Sequence, residues 1–308
     1  MTKQVKADIM LVLVTLCWGV SYYLTDLSLT SLEPFTLNAI RFLGAFLVAC
    51  LFTFPKLKTV NRTTLKYSFL VGIALTFVYI GSTFGVMYTS LSNSGFLCAL
   101  TVVFTPILAF LFKKQIPDKK LAIVLFLCLV GIGLLTLNEQ LKPALGDLFC
   151  ILCALAYAVD LLITESAVQK EQVNAFQMGV FQLGFTGLFN LAMAFVCETP
   201  RLPGSGPIWG AVAFLAVFCT GLAFIVQTLA QQYTSASHVG VIFTLEPVFA
   251  GIVAFLFAGE VLTPRAYVGA ALLISSLFVM EIDLKKWKGN RKVGVCEDEG
   301  GKAGREQL

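Results

Sequence analysis

Charge is what this sequence of 308 residues has least of. Only 13% of it is Asp, Glu, Lys or Arg, where a soluble protein carries roughly 25%. There is too little polar surface to clothe a water-soluble body of this size, so the length does not translate into one or two soluble domains. Histidine is almost missing. The single copy, His238, excludes a multi-histidine metal site and any HExxH helix. A Walker phosphate loop, GxSxG and a paired-aspartate GxGD signature are all absent, so neither direct ATP drive nor a familiar hydrolase or intramembrane protease is supported. The reading is not an enzyme, with no cofactor. No stretch between the apolar runs is long enough to fold on its own, which counts against a receptor or scaffold that binds partners outside a membrane.

What is abundant is hydrophobic sequence, 57% of the chain. A helix needs about 20 apolar residues to cross about 30 Å of hydrocarbon. Ten segments answer to that: Asp8–Thr30, Pro34–Phe54, Lys66–Met87, Ser90–Phe112, Leu121–Leu137, Gly146–Ser166, Asn174–Cys197, Ile208–Gln232, His238–Phe257 and Pro264–Ile282. They must be helices, because lipid offers no partner to an open backbone. The net charge of +4 is no nucleic-acid footprint, since the Lys and Arg residues sit in short clusters between spans. With the N-terminus inside, inner segments carry 18 of the 22 Lys and Arg residues, outer loops carry 3, and Arg41 lies within a span. That bias places both termini in the cytoplasm. The nine cysteines are scattered and read as small core hydrophobes. The tail from 284 to 308 is Lys/Arg-rich, then acidic and Gly-rich, and reads as disordered.

The chain is a duplication. Tyr88–Phe112 and Tyr233–Phe257 share 13 of 25 positions at a constant offset of 145, which chance does not give even in an apolar alphabet. Asp8–Asp26 meets Asp147–Glu165 at an offset of 139, so Trp18 falls on Tyr157, Ser21 on Asp160 and Asp26 on Glu165. The repeats are 7–138 and 146–283, five spans each. Five is odd, so the second half enters the membrane from the opposite side, as in secondary transporters whose halves rock about a midplane site. The expected fold is an all-α integral membrane protein, ten transmembrane helices as two inverted five-helix repeats around a central cavity.

Several short motifs stand in order along this frame: Trp18-Gly19, Arg41-Phe42, Gly146-Asp147, Leu245-Glu246-Pro247-Val248-Phe249, and Gly259-Glu260-x-Leu262-Thr263 followed by Gly269. In order and spacing the chain resembles the drug/metabolite transporter superfamily, specifically ten-span proteins with two EamA-type repeats. One departure is Val102, where the family commonly has proline in span four. Pro106 follows a turn later, so the kink of that span is expected to be displaced. The resemblance implies a cavity lined mainly by spans three, four, eight and nine, and export of small organic solutes such as amino acids, metabolites or amphipathic compounds. It implies as partners a small-molecule substrate and the lipid bilayer, no nucleic acid, a monomer or homodimer, and residence in a plasma membrane, in a bacterium the cytoplasmic one. An uncoupled facilitator or exchanger of the same fold is the alternative.

An ionisable group inside a membrane is costly and needs a reason. Glu246 lies near the midplane of span nine. It is either a proton- or cation-coupling carboxylate or a support for the backbone that Pro247 disrupts. Arg41, on span two, either pairs with Asp26 at the outer end of span one or attracts a substrate carboxylate. Asp160 on span six is deeper than Glu165. Candidate contacts on the implied cavity spans are Tyr79, Ser82, Thr83, Asn93, Thr101, Phe224, Gln227, Gln231 and Thr244. For each of these, packing within the bundle competes with a role in the site. Phe224, Gln227 and Gln231 share one helix face.

Overall fold

The computed structural model describes residues 2–89, 91–114, 119–136, 145–257 and 263–281, with nine side chains inside the helices left aside, that of Asn93 among them. Glu260 and the tail 284–308 lie outside the described residues. Ten helical rods run along the chain: α1 (Lys3–Leu29), α2 (Pro34–Leu57), α3 (Arg62–Tyr88), α4 in two pieces (α4a, Leu91–Ala99; α4b, Thr101–Lys113), α5 (Lys119–Thr136), α6 (Leu145–Val168), α7 (Ala175–Cys197), α8 (Gly206–Ala230), α9 in two pieces (α9a, Ala236–Phe243; α9b, Glu246–Phe257) and α10 (Pro264–Glu281). Seven of them, α1, α2, α3, α6, α7, α8 and α9, are long and apolar enough to cross a membrane by length and composition.

The surface is the inverse of a soluble protein's. Large apolar side chains such as Leu51, Phe52, Phe112, Phe195 and Val196 point outward, while Thr15, Asn38, Arg41, Asp160, Gln182, Asn190, Gln227 and Gln231 are buried. Lipid is as apolar as leucine, so the bundle is held by close packing and interior hydrogen bonds. Many buried hydroxyls bond their own helix one turn back, as Thr15 does to the Val12 carbonyl, Ser68 to Thr64 and Thr76 to Gly72.

The heaviest packing joins one half of the chain to the other, in repeat-related pairs. α1 packs on α8 and α9, and α6 packs on α3 and α4; α2 lies on α7, and α5 on α10. An inverted duplication produces this interdigitation. Sequence neighbours α1 and α2 have few contacts. Close approach at these crossings depends on glycine. A methyl group at Gly19 of α1 would stand 2.6 Å from the Phe249 Cβ of α9b. One at Gly81 of α3 would stand 2.5 Å from the Phe149 carbonyl oxygen of α6. Pro34 opens α2 where its missing N–H costs nothing. Across the bundle, Glu198 accepts from the Phe35 and Thr36 N–H groups there, at 2.7 and 2.8 Å, a carboxylate at a helix N-terminus.

Both broken rods break at the same place in the repeat. The turn in α4 is at Leu100 and that in α9 at Thr244–Leu245, and Leu100 and Leu245 are 145 apart. The displaced kink expected from Pro106 is not found, since Pro106 lies inside α4b. The break forms without a proline at position 102. Thr101 donates its hydroxyl to the carbonyls of Cys98 and Ala154, at 2.8 and 3.2 Å. α8 carries its own irregularity, a π-helical stretch at Leu215–Leu222.

Candidate functional site: a central cavity between the repeats

Four aromatic residues meet where the halves face each other. They are two repeat-related pairs: Trp18 with Tyr157, and Tyr79 with Phe224, the latter 145 apart. Ring centroids are 5.9 Å apart for Trp18–Tyr157, 5.4 Å for Trp18–Phe224 and 5.9 Å for Tyr79–Phe224. Trp18 is held by its indole N–H, which donates to the Cys219 carbonyl in the π-helical stretch at 2.9 Å. This cluster forms one wall of a cavity with ≈ 90 Å3 open to the centres of water-sized bodies.

Of the residues singled out from sequence, Arg41, Tyr79, Ser82, Thr83, Thr101, Phe224 and Glu246 line this cavity. Among the described residues, Arg41 and Glu246 are the only charged side chains on its wall. Glu246 opens α9b, half-buried, with the Tyr22 hydroxyl within hydrogen-bonding reach. Its repeat counterpart Thr101 opens α4b. The N-termini of both half-helices, the positive ends of their dipoles, therefore reach the cavity, an arrangement found at ion and solute sites built from discontinuous membrane helices. Arg41 is 2% exposed; its Nε donates to the Thr220 hydroxyl at 2.9 Å, and its guanidinium carbon lies 4.8 Å from the Tyr79 ring centroid. Thr83 exchanges hydrogen bonds with Asn38 at 3.1 and 3.3 Å.

The expected pairing of Arg41 with Asp26 is not formed. Asp26 is exposed, and the two ion pairs among the described residues join other groups. The reason is the interdigitation: α1 and α2 are consecutive in sequence but turn their main faces toward the other half.

Asp160, Gln227, Gln231 and Thr244 do not line the cavity. Thr244 bonds the Val241 carbonyl at 2.7 Å. The other three lie in a polar chain leading away from it. The Tyr157 hydroxyl donates to Gln227 Oε1 at 3.0 Å, Gln227 Nε2 to Gln231 Oε1 at 3.3 Å, and Gln231 Nε2 to the Leu161 carbonyl at 3.0 Å. Asp160 is within reach of Gln227, and its Oδ1 has no partner among the described residues. The stripe Phe224–Gln227–Gln231 is thus split, its aromatic end in the cavity and its amides beneath. Each buried member is the counterpart of a lining residue. Gln227 matches Ser82 and Gln231 matches Val86 at the offset of 145; Asp160 matches Ser21 and Thr164 matches Thr25 at 139.

Beyond that chain, charged and polar contacts tie the end of the bundle together. Glu165 on α6 pairs with Lys113 at the end of α4b and accepts the Ala236 N–H at the start of α9a, at 3.1 Å. His238 Nε2 stands 3.2 Å from Asp8 Oδ1, and the Lys3 ammonium lies 5.5 Å from the Tyr233 ring centroid. Asp26, the counterpart of Glu165, makes no such contact among the described residues.

Sequence reasoning missed the walls that α1 and α6 contribute, among them Ser21, Tyr22, Thr25, Cys153 and Tyr157. The signal was present in the repeat register, which places aromatic Trp18 on aromatic Tyr157.

The sequence pattern of the EamA-like transporter family matches the chain twice, over residues 5–137 and 144–282. An uncharacterized transporter of Archaeoglobus fulgidus is 30% identical over 281 residues, 91% of this chain and 87% of the relative. The uncharacterized transporter YetK of Bacillus subtilis is 26% identical, over 92% of this chain and 89% of its own length. A solved crystal structure covers 92% of this chain with a TM-score of 0.76 at 15% identity, a likeness of fold alone.

Proposed function

This chain belongs to the EamA-like transporter family, and we propose that it carries small organic solutes across the membrane by alternating access, with the central cavity as the solute site and Glu246 as the coupling group. The family is one of transporters, not of enzymes. One observation carries the proposal: repeat-related residues stand in opposite states. Ser21, Thr25, Ser82 and Val86 line the cavity while their counterparts Asp160, Thr164, Gln227 and Gln231 are buried. Asp26 is exposed while Glu165 is engaged on α9a. A pseudo-symmetric scaffold open at one end and sealed at the other has a second arrangement with these roles exchanged. The sealed end carries Lys3 and Lys113, so the Lys/Arg bias makes it cytoplasmic and opens the cavity outward. Export of metabolites or amphipathic compounds is the direction that the resemblance implies.

Proteoliposomes holding the purified protein test the coupling. A pH gradient is expected to accelerate flux of a radiolabelled or fluorescent solute. Glu246→Gln keeps the side chain's shape and abolishes its titration. The variant is expected to fold, bind solute and retain counterflow exchange while losing the response to the gradient. Gradient-driven flux equal to wild type removes Glu246 as the coupling group.

A further inference from the structure

Arg41 is a buried cation that makes no ion pair among the described residues. It is 2% exposed, no carboxylate pairs with it among the described residues, and its Nη2 has no hydrogen-bond partner there. Thr220 occupies only Nε. The one carboxylate that shares the cavity with it, Glu246, makes no ion pair with it among the described residues, and a guanidinium edge matches an oxyanion better than any neutral group. Beside it the wall is aromatic, with Tyr79 under the guanidinium and Phe224 and Trp18 beyond.

We propose that Arg41 is the anion-recognising residue of the cavity and that the solute is a small amphipathic organic anion, a single carboxylate or similar oxyanion on an apolar or aromatic body. This rests on the reading of the cavity as the solute site. The oxyanion accepts from the guanidinium of Arg41, and the apolar body lies against the aromatic wall. Glu246 stays outside that contact, which separates recognition of the solute from coupling.

Trp18 in that wall supplies the readout. In a form with Trp209→Phe and Trp287→Phe, Trp18 fluorescence is titrated with phenylacetate, with neutral 2-phenylethanol and with cationic phenethylamine. Phenylacetate is expected to quench at concentrations at least tenfold below the other two. Arg41→Gln is expected to weaken phenylacetate by about tenfold to a hundredfold, the range of one hydrogen bond to a charged group, and to leave 2-phenylethanol unchanged. Equal affinities for the three probes in the wild-type protein overturn the proposal even if Arg41→Gln does not fold. So does an Arg41→Gln variant that binds phenylacetate as wild type does. Exchange of chloride for gluconate covers the other source of a counter-anion. Phenylacetate without effect in both salts, with chloride alone raising the melting temperature, makes Arg41 a chloride site and overturns the proposal. Flux in proteoliposomes separates this from the transporter reading. Arg41-dependent quenching without flux sustains the anion site and removes solute transport from the cavity. Flux of phenylacetate that ignores Arg41 sustains transport and removes the anion site.

Discussion

Glu165 is the residue on which the sealed end turns. It holds three elements together, its own α6, α4b through Lys113 and the N-terminus of α9a through Ala236. Glu165→Gln keeps the volume and an acceptor for the Ala236 N–H but removes the charge that serves both partners. The side chains of Lys113 and Glu165 are 24% and 14% exposed, so the loss lies between that of an exposed pair, about 0–1 kcal/mol, and that of a buried one, about 3–5 kcal/mol. A figure of about 1.5 kcal/mol is a tenfold shift between states. The assay is alkylation of single cysteines in a cysteine-free background. Leu161→Cys reports on the sealed end, where the Leu161 side chain is fully buried, and Val86→Cys reports on the cavity. Glu165→Gln is expected to raise the Leu161→Cys rate about tenfold and to lower the Val86→Cys rate, because the ends open in alternation. A Leu161→Cys rate within twofold of the parent's refutes the role of Glu165. Rates that rise together at both ends mean local fraying and refute alternation.

Asp26→Asn is expected to disfavour closure of the cavity end, where Asp26 would take the place of Glu165, and so to raise Val86→Cys labelling; unchanged labelling separates the two residues in function despite their shared place in the repeat. Gly81→Ala forces a methyl group to 2.5 Å from the α6 backbone and should cost about 1–3 kcal/mol, read as a lower melting temperature in detergent. Gly95, with nothing within 4 Å of its would-be Cβ, is the control, and equal losses for Gly81→Ala and Gly95→Ala would count against close packing of α3 on α6. Ser205→Cys, in the exposed loop between α7 and α8, should react with impermeant reagents from outside the cell; labelling only from the cytoplasm reverses the orientation argued from Lys and Arg.

Much of the frame was legible because a duplication leaves a register. The offsets of 139 and 145 identify which residues are counterparts. Two kinds of feature were not legible. The first is which counterpart is open. Gln227 and Ser82 have the same place in the repeat, and no property of either residue says that one lines a cavity while the other is buried; that is a property of the state and not of the sequence. The second is anything that depends on which helices are neighbours. Asp26 and Arg41 lie on consecutive helices, but α1 and α2 barely meet, so adjacency in the chain misled. Pro106 misled for a related reason. A proline was expected to set the break in α4, yet the break is set at Leu100 by the repeat's geometry and by the Thr101 hydroxyl.

That last point bears on Glu246. If the carboxylate were there to serve the broken backbone of α9, the matching break in α4 would be expected to need a similar group. α4 breaks at the equivalent residue with Val102 in place of Pro247 and Thr101 in place of Glu246, and the neutral Thr101 hydroxyl bonds the Cys98 carbonyl at the break and the Ala154 carbonyl of α6. The acid is on the half whose counterpart position is neutral, it faces the cavity and not the backbone of its neighbours, and Tyr22 stands within reach of it. The duplicated scaffold supplies two equivalent half-helix ends to the site, and the single carboxylate makes them inequivalent. The coupling role proposed for Glu246 would use that asymmetry, and the recognition proposed for Arg41 falls on a different helix of the same wall.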